Sequence, residues 1–430
     1  MKPHLIIKLH TTQNVPRLAH WEEIIDDRSE VRKELVPAID TILREKYKLD
    51  FISSQNYKPK DKTWSPKELE SGLNRVYRLI LLTNKKIPQD LIEEIRLLPN
   101  VAYADQGQVI TSRLPDQKLV GAQSLSSKYQ DLSIYLKEAH FITKGHPDIK
   151  IAVLDTGIET NHREFAGNFS SPKDFVNIIN GAQQFVGDYL EMDEIPDDLV
   201  GHGTHVAGII TARGNRMPIG VAPDCTVLPI KVLGALKNKG MLVGAGLIDD
   251  IDAGIKYAVD QGADVINMSL GIKHSGGGLP HKDVINYALT NNVCVVAASG
   301  NDGTKDKYYP GAIDGVIAVG ATTSSGTVAP FSTFGGHVSV SAPGVNIYSA
   351  YLNNGYARSS GTSQASPFVS GTIGLLKSYA KERGKSLRNS SVASILQQTS
   401  DKLTTRFKDE KAGFGRINVY DALKMLRYNL

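Results

Sequence analysis

The sequence has little cysteine, little tryptophan and no long apolar run. Cys225 and Cys294 are the only cysteines in 430 residues, too few for a disulfide framework. Cys294 sits in the apolar run Val293-Cys294-Val295-Val296 and reads as a buried strand residue. This usage favours a reducing compartment. Charge of one sign is also lacking: 49 Lys and Arg against 45 Asp and Glu leave a net +4. With no dense basic block interleaved with aromatics, a nucleic-acid partner is not expected. No segment reaches the roughly 18 unbroken apolar residues of a membrane span, so no membrane partner is expected. The first residues, Met1 to His10, contain no signal-peptide core. Together these absences predict a cytoplasmic protein.

The composition is otherwise that of an ordinary globular chain, 41% hydrophobic and 22% charged, long enough for one large and one small domain. Residues 1 to about 110 read as a small α+β domain. Its signals are a strand at Leu5–Leu9, a charged helical stretch from about Ser29 to Lys48, a strand at Val76–Leu82, a helix in Pro88–Leu98 and extended chain at Val101–Ala104. Residues 111–144 read as an exposed connector. From 145 to 430, apolar strand runs (149–154, 226–232, 264–268, 293–298, 315–319) alternate with helical stretches near 203–212, 245–261, 281–291 and 363–382. Helical patterns at about Ser390–Gln398 and Ile417–Leu426 close the chain. Near-continuous apolar strands separated by helices predict an α/β domain with a mainly parallel sheet covered on both faces.

In such a sheet, reactive groups gather beyond the carboxyl ends of the strands. Asp155 follows Ile151-Ala152-Val153-Leu154, where a carboxylate can accept from an imidazole and fix its tautomer; alone, it would equally serve as a strand-end cap or metal ligand. His202 and His205 stand three residues apart in Gly201-His202-Gly203-Thr204-His205. The H-E-x-x-H arrangement of a zinc site is missing, so His202 reads as a general base and His205 as structural. Ser363, in Gly361-Thr362-Ser363-Gln364-Ala365-Ser366-Pro367, opens a long apolar helix; it is an N-cap by default, or a nucleophile at the helix's positive end. Asn301 emerges after another apolar strand, a turn residue or an amide donor to an oxyanion.

Asp-Thr-Gly at 155, His-Gly-Thr-His-Val-Ala-Gly at 202 and Gly-Thr-Ser-x-Ala-Ser-Pro around 363, in that order, resemble the three active-site blocks of the subtilisin family. The Asp, His, Ser order separates that family from chymotrypsin-like enzymes and α/β-hydrolases. The likeness extends through Gly220–Pro223, Asp264–Gly271, Ser341–Gly344 and Gly413–Asn418, covering roughly residues 145 to 425. It implies a three-layer catalytic domain and a serine endopeptidase acting on peptides or proteins. In the implied chemistry Ser363 attacks, His202 moves the proton, Asp155 orients His202 and Asn301 joins the oxyanion hole. Ser269, Leu270 and Gly271 would pair with the substrate backbone, and Ala298 and Gly300 would line the pocket for the residue before the cut. Tyr308 would lie near its floor, suiting apolar or aromatic groups, and Asp302 at its rim could admit a basic one.

The run from Tyr77 to Asp105 is similar to the end of the family's inhibitory propeptide. It implies a ferredoxin-like N-terminal domain that plugs the cleft, with autoprocessing between about 105 and 125. The extra charged stretch at 28–75 departs from a minimal propeptide, so a retained docking domain is the alternative. Gln364 stands where relatives carry Met and is expected to change little in the chemistry. Structural calcium is frequent in the family; Glu164 and Asn215 are its only candidate ligands, too few for six or more oxygens, so neither metal nor cofactor is expected. A pseudoprotease scaffold and a peptide macrocyclase on the same fold are the rival readings. The first would be expected to have lost a reactive residue, and the second needs a cleft-shielding insertion.

Overall fold

The computed structural model describes residues 3–13, 15–83, 85–112, 117–120, 129–130, 132–165, 167–177, 185–186, 195–238, 240–274 and 279–430. Its centre is a seven-stranded, all-parallel sheet. The strand order is Val338–Pro343, Ile317–Thr322, Cys294–Ala298, Val265–Met268, Lys150–Asp155, Thr226–Lys231 and Lys173–Asp174. Side chains alternate across it, as the pleat requires. Ile151, Val153, Val265 and Val296 enter the core beneath the helices His202–Thr211 and Thr362–Lys381. Ala152, Leu154, Ile266 and Val295 enter the core beneath Ile248–Asp260 and Lys282–Thr290. This is the predicted three-layer α/β domain. Lys150–Asp155 lies inside the sheet, and the later strands add on either side of it, so the order reverses at Asp155. Both cysteines are buried free thiols; burial raises each pKa to about 11.

The N-terminal region is a four-stranded antiparallel sheet in the order Phe51–Gln55, Val76–Leu81, His4–Leu9, Val101–Gln106, the ferredoxin-like arrangement. The expected long helix over 29–48 is broken. Val36 is extended ahead of Pro37, as residues before proline are, and the helical pieces are a 3-10 turn at Arg28–Glu30, then Pro37–Thr41 and Ile42–Lys46. Period 2 in the first strand divides its roles. Leu5, Ile7 and Leu9 join the domain's own core, while His4, Ile6 and Lys8 face the larger domain. Ile6 enters the core shared with Ile251 and Ile255, His4 Nε2 meets Asp249 Oδ2 at 2.6 Å and Lys8 Nζ donates to Asp283 at 2.6 Å. Arg78 Nη2 reaches Asp249 at 3.3 Å, and the Tyr57 and Tyr103 hydroxyls donate to Asp252 and Asp283.

The connector departs from expectation. Val109–Ser112 adds antiparallel to Met241–Leu247, with Ile110 opposite Gly246 and Ser112 opposite Gly244. Gln117–Val120 adds antiparallel to Gly355–Ser359. Leu132, Ile134, Leu136 and Ala139 are buried in the main core, because apolar residues at that spacing have a face to bury. Within the expected processing window of about 105–125, residues 113–116 and 121–125 lie outside the described residues.

Candidate active site

Asp155 ends its strand, and its Oδ1 accepts from Thr156 N at 2.8 Å and meets His202 Nδ1 at 2.7 Å. His202 opens the helix His202–Thr211. The approach is close because Gly203 lacks a side chain: a Cβ there would stand 2.0 Å from the Gly157 carbonyl and 3.1 Å from Asp155 Cβ. Asp155 and His202 are almost wholly buried. Burial opposes a charged imidazole, yet the charge of Asp155, its hydrogen bond and the more distant Asp198 outweigh it, so the His202 pKa is raised. With Nδ1 bound to the carboxylate, Nε2 is buried without a partner among the described residues.

His205 is structural, as expected. Its Nε2 lies 3.1 and 3.2 Å from the carbonyls of Ile347 and Ala357. Burial, with the nearby His202, lowers its pKa to about 3, so it stays neutral.

Ser363 stands in the first turn of Thr362–Lys381. Its Oγ donates to the carbonyl of Ser269 at 3.0 Å, so its proton faces that carbonyl rather than an imidazole. Pro367 has no N–H to return to the Ser363 carbonyl four residues back; Ser269 Oγ fills the gap at 2.9 Å. Ser269 Oγ is itself held by Asn267 Nδ2 at 3.0 Å and Ser366 Oγ at 2.8 Å. Ser269, expected only as a substrate rail, thus also anchors the serine helix.

Asn301 follows the strand Cys294–Ala298. Its Oδ1 accepts from Thr362 N at 2.8 Å and Thr362 Oγ1 at 2.9 Å. A backbone N–H can only donate, so the oxygen assignment is fixed and the NH2 is the end left to donate elsewhere.

The structure brings Gly271, Gly300 and Tyr308 together. A Cβ on Gly300 would lie 2.6 Å from Tyr308 Cδ2, and one on Gly271 would lie 3.3 Å from Tyr308 Cβ. Leu270 is buried, and Ala298 ends its strand nearly buried. Asp302 at the rim is already paired. It accepts from the Tyr308 hydroxyl at 2.6 Å and meets Lys273 Nζ at 2.6 Å, and the same lysine meets Asp306 at 2.7 Å.

One further residue escaped the sequence reading, and the surroundings of a second, Gln364, were not foreseen. Asp198, in the loop before His202, is buried and takes five hydrogen bonds; the only local signal was an acidic pair, Asp197-Asp198, ahead of the glycine turn. Gln364 is fully buried, and neither end of its amide has a partner among the described residues. At the candidate calcium position, Glu164 accepts from Asn215 N at 2.8 Å, Arg216 N at 2.6 Å and Tyr356 Oη at 3.0 Å. A carboxylate enclosed by N–H and O–H donors does not fit a cation that takes oxygen ligands. The described residues contain no cluster of three or more His, Cys, Asp or Glu side chains able to hold a metal.

Residues 146–415, more than half of the 430, match the subtilase family. The chain belongs to the subtilase family. It is similar to thermitase of Thermoactinomyces vulgaris, 36% identical over 70% of this chain and 96% of that one. It is also similar to the thermophilic serine proteinase of Bacillus sp. AK1, 37% identical over 69% of this chain and 67% of that one. The major intracellular serine protease of Bacillus subtilis is 38% identical over 67% of this chain and 82% of that one. Among solved structures, the prenylagaramide maturation protease PagA superposes with a TM-score of 0.56 at 30% identity, covering 68% of this subtilase and 98% of PagA. This subtilase is accordingly a hydrolase of the serine protease class. No helix among its described residues is long and apolar enough to cross a membrane.

Proposed function

We propose that this subtilase is an endopeptidase that works through Ser363, His202 and Asp155, with Asn301 as an oxyanion donor. The observation that carries the reading is the buried 2.7 Å bond from His202 to Asp155, which leaves Nε2 as the free, proton-accepting end of a base of raised pKa. In the reaction the Ser363 hydroxyl turns from the Ser269 carbonyl to His202 Nε2, gives up its proton and attacks the peptide carbonyl. His202 passes that proton to the leaving amine, and water then releases the acyl group by the same route. The negative charge on the former carbonyl oxygen falls between the Asn301 amide and the Ser363 N–H at the helix's positive end. Ser269–Gly271 and Gly244–Leu247 form the two rails for an extended substrate, with Ala298, Gly300 and Tyr308 around the side chain before the cut. No metal takes part in this scheme.

The first substrate is the chain itself. Support comes from the two strand additions, Val109–Ser112 on one side of the cleft and Gln117–Val120 on the other, so the proposed cut lies between Ser112 and Gln117. The N-terminal domain then acts as a cleft inhibitor. The protein is proposed to work in the cytoplasm, with support from its similarity to a relative named as intracellular. The purified chain and its Ser363→Ala variant, incubated with unfolded protein and followed by mass spectrometry, test the reading. Fragments are expected from the wild type alone, together with loss of the N-terminal domain; intact protein in both tubes overturns it. A cyclised product would favour peptide maturation, the role for which PagA is named.

A further inference from the structure

Asp198 is buried and carries no ion pair among the described residues, yet it lies at the junction of the two loops that hold Asp155 and His202. Its Oδ1 accepts from Thr156 Oγ1 at 2.9 Å, Val200 N at 3.0 Å and Gly201 N at 2.7 Å. Its Oδ2 accepts from Thr204 N at 2.9 Å and Thr204 Oγ1 at 2.7 Å. The two hydroxyls have fixed directions. Thr156 Oγ1 already accepts from Gly203 N at 3.0 Å and Thr204 Oγ1 from Glu159 N at 2.9 Å, so each gives its own proton to Asp198. All five partners therefore donate, which leaves no acceptor for a proton on the carboxyl and holds it as an anion. Burial works the other way and raises the Asp198 pKa against those bonds.

This arrangement spans the gap between two elements. Thr156 adjoins Asp155, and its amide binds the same Asp155 oxygen that meets His202. Val200, Gly201 and Thr204 surround His202 in the turn that opens its helix. Through Thr156 the Asp198 carboxylate fixes the strand-end loop, and through the three amides it fixes the histidine turn.

We propose that Asp198 is a positioning residue for the proposed hydrolysis, a second buried anion that sets the distance between Asp155 and His202 and favours the protonated form of the imidazole. The role rests on the assignment of Asp155 and His202 as the acid–base pair. Asp155 acts on Nδ1 directly; Asp198 acts through backbone amides and through space. An amide in its place would turn an N–H toward donors that need an acceptor, and it would remove the charge.

The test measures the His202 imidazole directly, by NMR titration of the full-length Ser363→Ala chain, so it does not depend on turnover. Asp198→Asn is expected to lower the His202 pKa by about half a unit or more, while Thr204→Val, which keeps the charge and removes one of the five bonds to it, leaves it within about 0.2 units. In the active chain, Asp198→Asn should lower kcat about tenfold or more with KM within about twofold, and the acid limb of kcat/KM should move to lower pH with the imidazole. If Asp198→Asn does not fold, Thr156→Val takes its place: it cuts the link to the strand-end loop and should lower kcat without moving the acid limb. An unchanged His202 titration in folded Asp198→Asn overturns the electrostatic role, and an unchanged kcat in Thr156→Val overturns the positioning role. A wild type without Ser363-dependent cleavage would instead sink the protease reading and leave the titration result standing.

Discussion

Ser269 and Ser363 exchange two hydrogen bonds, Ser363 Oγ to the Ser269 carbonyl at 3.0 Å and Ser269 Oγ to the Ser363 carbonyl at 2.9 Å. The second bond compensates for Pro367, and its loss leaves the buried Ser363 carbonyl with only the long 3.5 Å bond from Ser366 Oγ. Ser269→Ala is expected to destabilise the protein by about 1–3 kcal/mol. Because it also loosens the turn that carries Ser363, kcat should fall more than KM rises. Thermal unfolding and steady-state kinetics on a peptide substrate read both effects; an unchanged melting temperature would deny the compensation.

Gln364 buries an amide with neither end partnered. The sequence reading gave this residue little weight, since it does not alter the chemistry; its cost is in desolvation. Gln364→Met keeps similar length and removes the unpaired groups. The expected gain is about 1–3 kcal/mol, checked by urea unfolding of the Ser363→Ala chain.

The contact between the domains is rich in carboxylates, and their shifts oppose one another. Burial raises the pKa of Asp250 well above its free value, against Arg78 and the Asn177 amide, and burial raises Asp252 against His281. Burial also acts on Asp249, but Arg78 and His4 outweigh it and its pKa falls. A raised carboxyl contributes stability that is complete below its free value of 3.8 and is lost as pH rises through the folded value; a depressed one contributes stability above 3.8 that is lost as pH falls through the folded value. Stability is therefore expected to peak between the depressed pKa of Asp249 and the raised ones of Asp250 and Asp252, then to decline toward alkaline pH. Asp250→Asn removes one buried charge and should flatten that decline. At pH 8 it should gain about 1 kcal/mol, or about 2–4 °C, with a smaller gain at pH 5. Equal melting shifts at both values would contradict this.

Lys273 occupies Asp302, which the sequence placed at the pocket rim, and the nearby Asp306. Its bonds to Asp302 and Asp306 raise its own pKa, so it stays charged and cancels their pull on a substrate cation. Lys273→Ala is expected to raise cleavage after Arg or Lys relative to the wild type by roughly two- to fivefold, the range of one partly exposed ion pair. A library of peptides differing only at the residue before the cut measures it, and an unchanged profile would separate these carboxylates from specificity.

The parts that were legible in the sequence are those encoded locally. Asp155, His202, Asn301 and Ser363 each follow a strand or open a helix, so their places at one sheet edge could be read from apolar runs and glycines. The strand-like run at Leu5–Leu9 gave the first strand, observed at His4–Leu9. What was missed depends on distant partners. Residues 245–247 were expected at the start of a helix and are extended instead, because the strand Met241–Leu247 pairs with Gly234–Asn238 on one side and with Val109–Ser112, more than a hundred residues earlier, on the other. Asp198 looked like a loop acid, since its donors converge only in the folded turn. In the charged stretch at 28–75, the strand Phe51–Gln55 and the helix Pro66–Ser71 went unassigned; the helix carries a local signal, the Ser65–Glu68 capping box.

The two short strands that leave the N-terminal domain and flank the cleft have a consequence for timing. Under the proposed inhibition, an N-terminal domain held in the cleft of a whole chain would be tethered, at an effective concentration on the order of millimolar, and no change in protein concentration would displace it. One cut between Ser112 and Gln117 would make the N-terminal domain a separate molecule. From then on the cleft would empty on dilution and refill on crowding, so that the same contacts that hold an intact chain shut would let a cleaved one respond to how much of it is present.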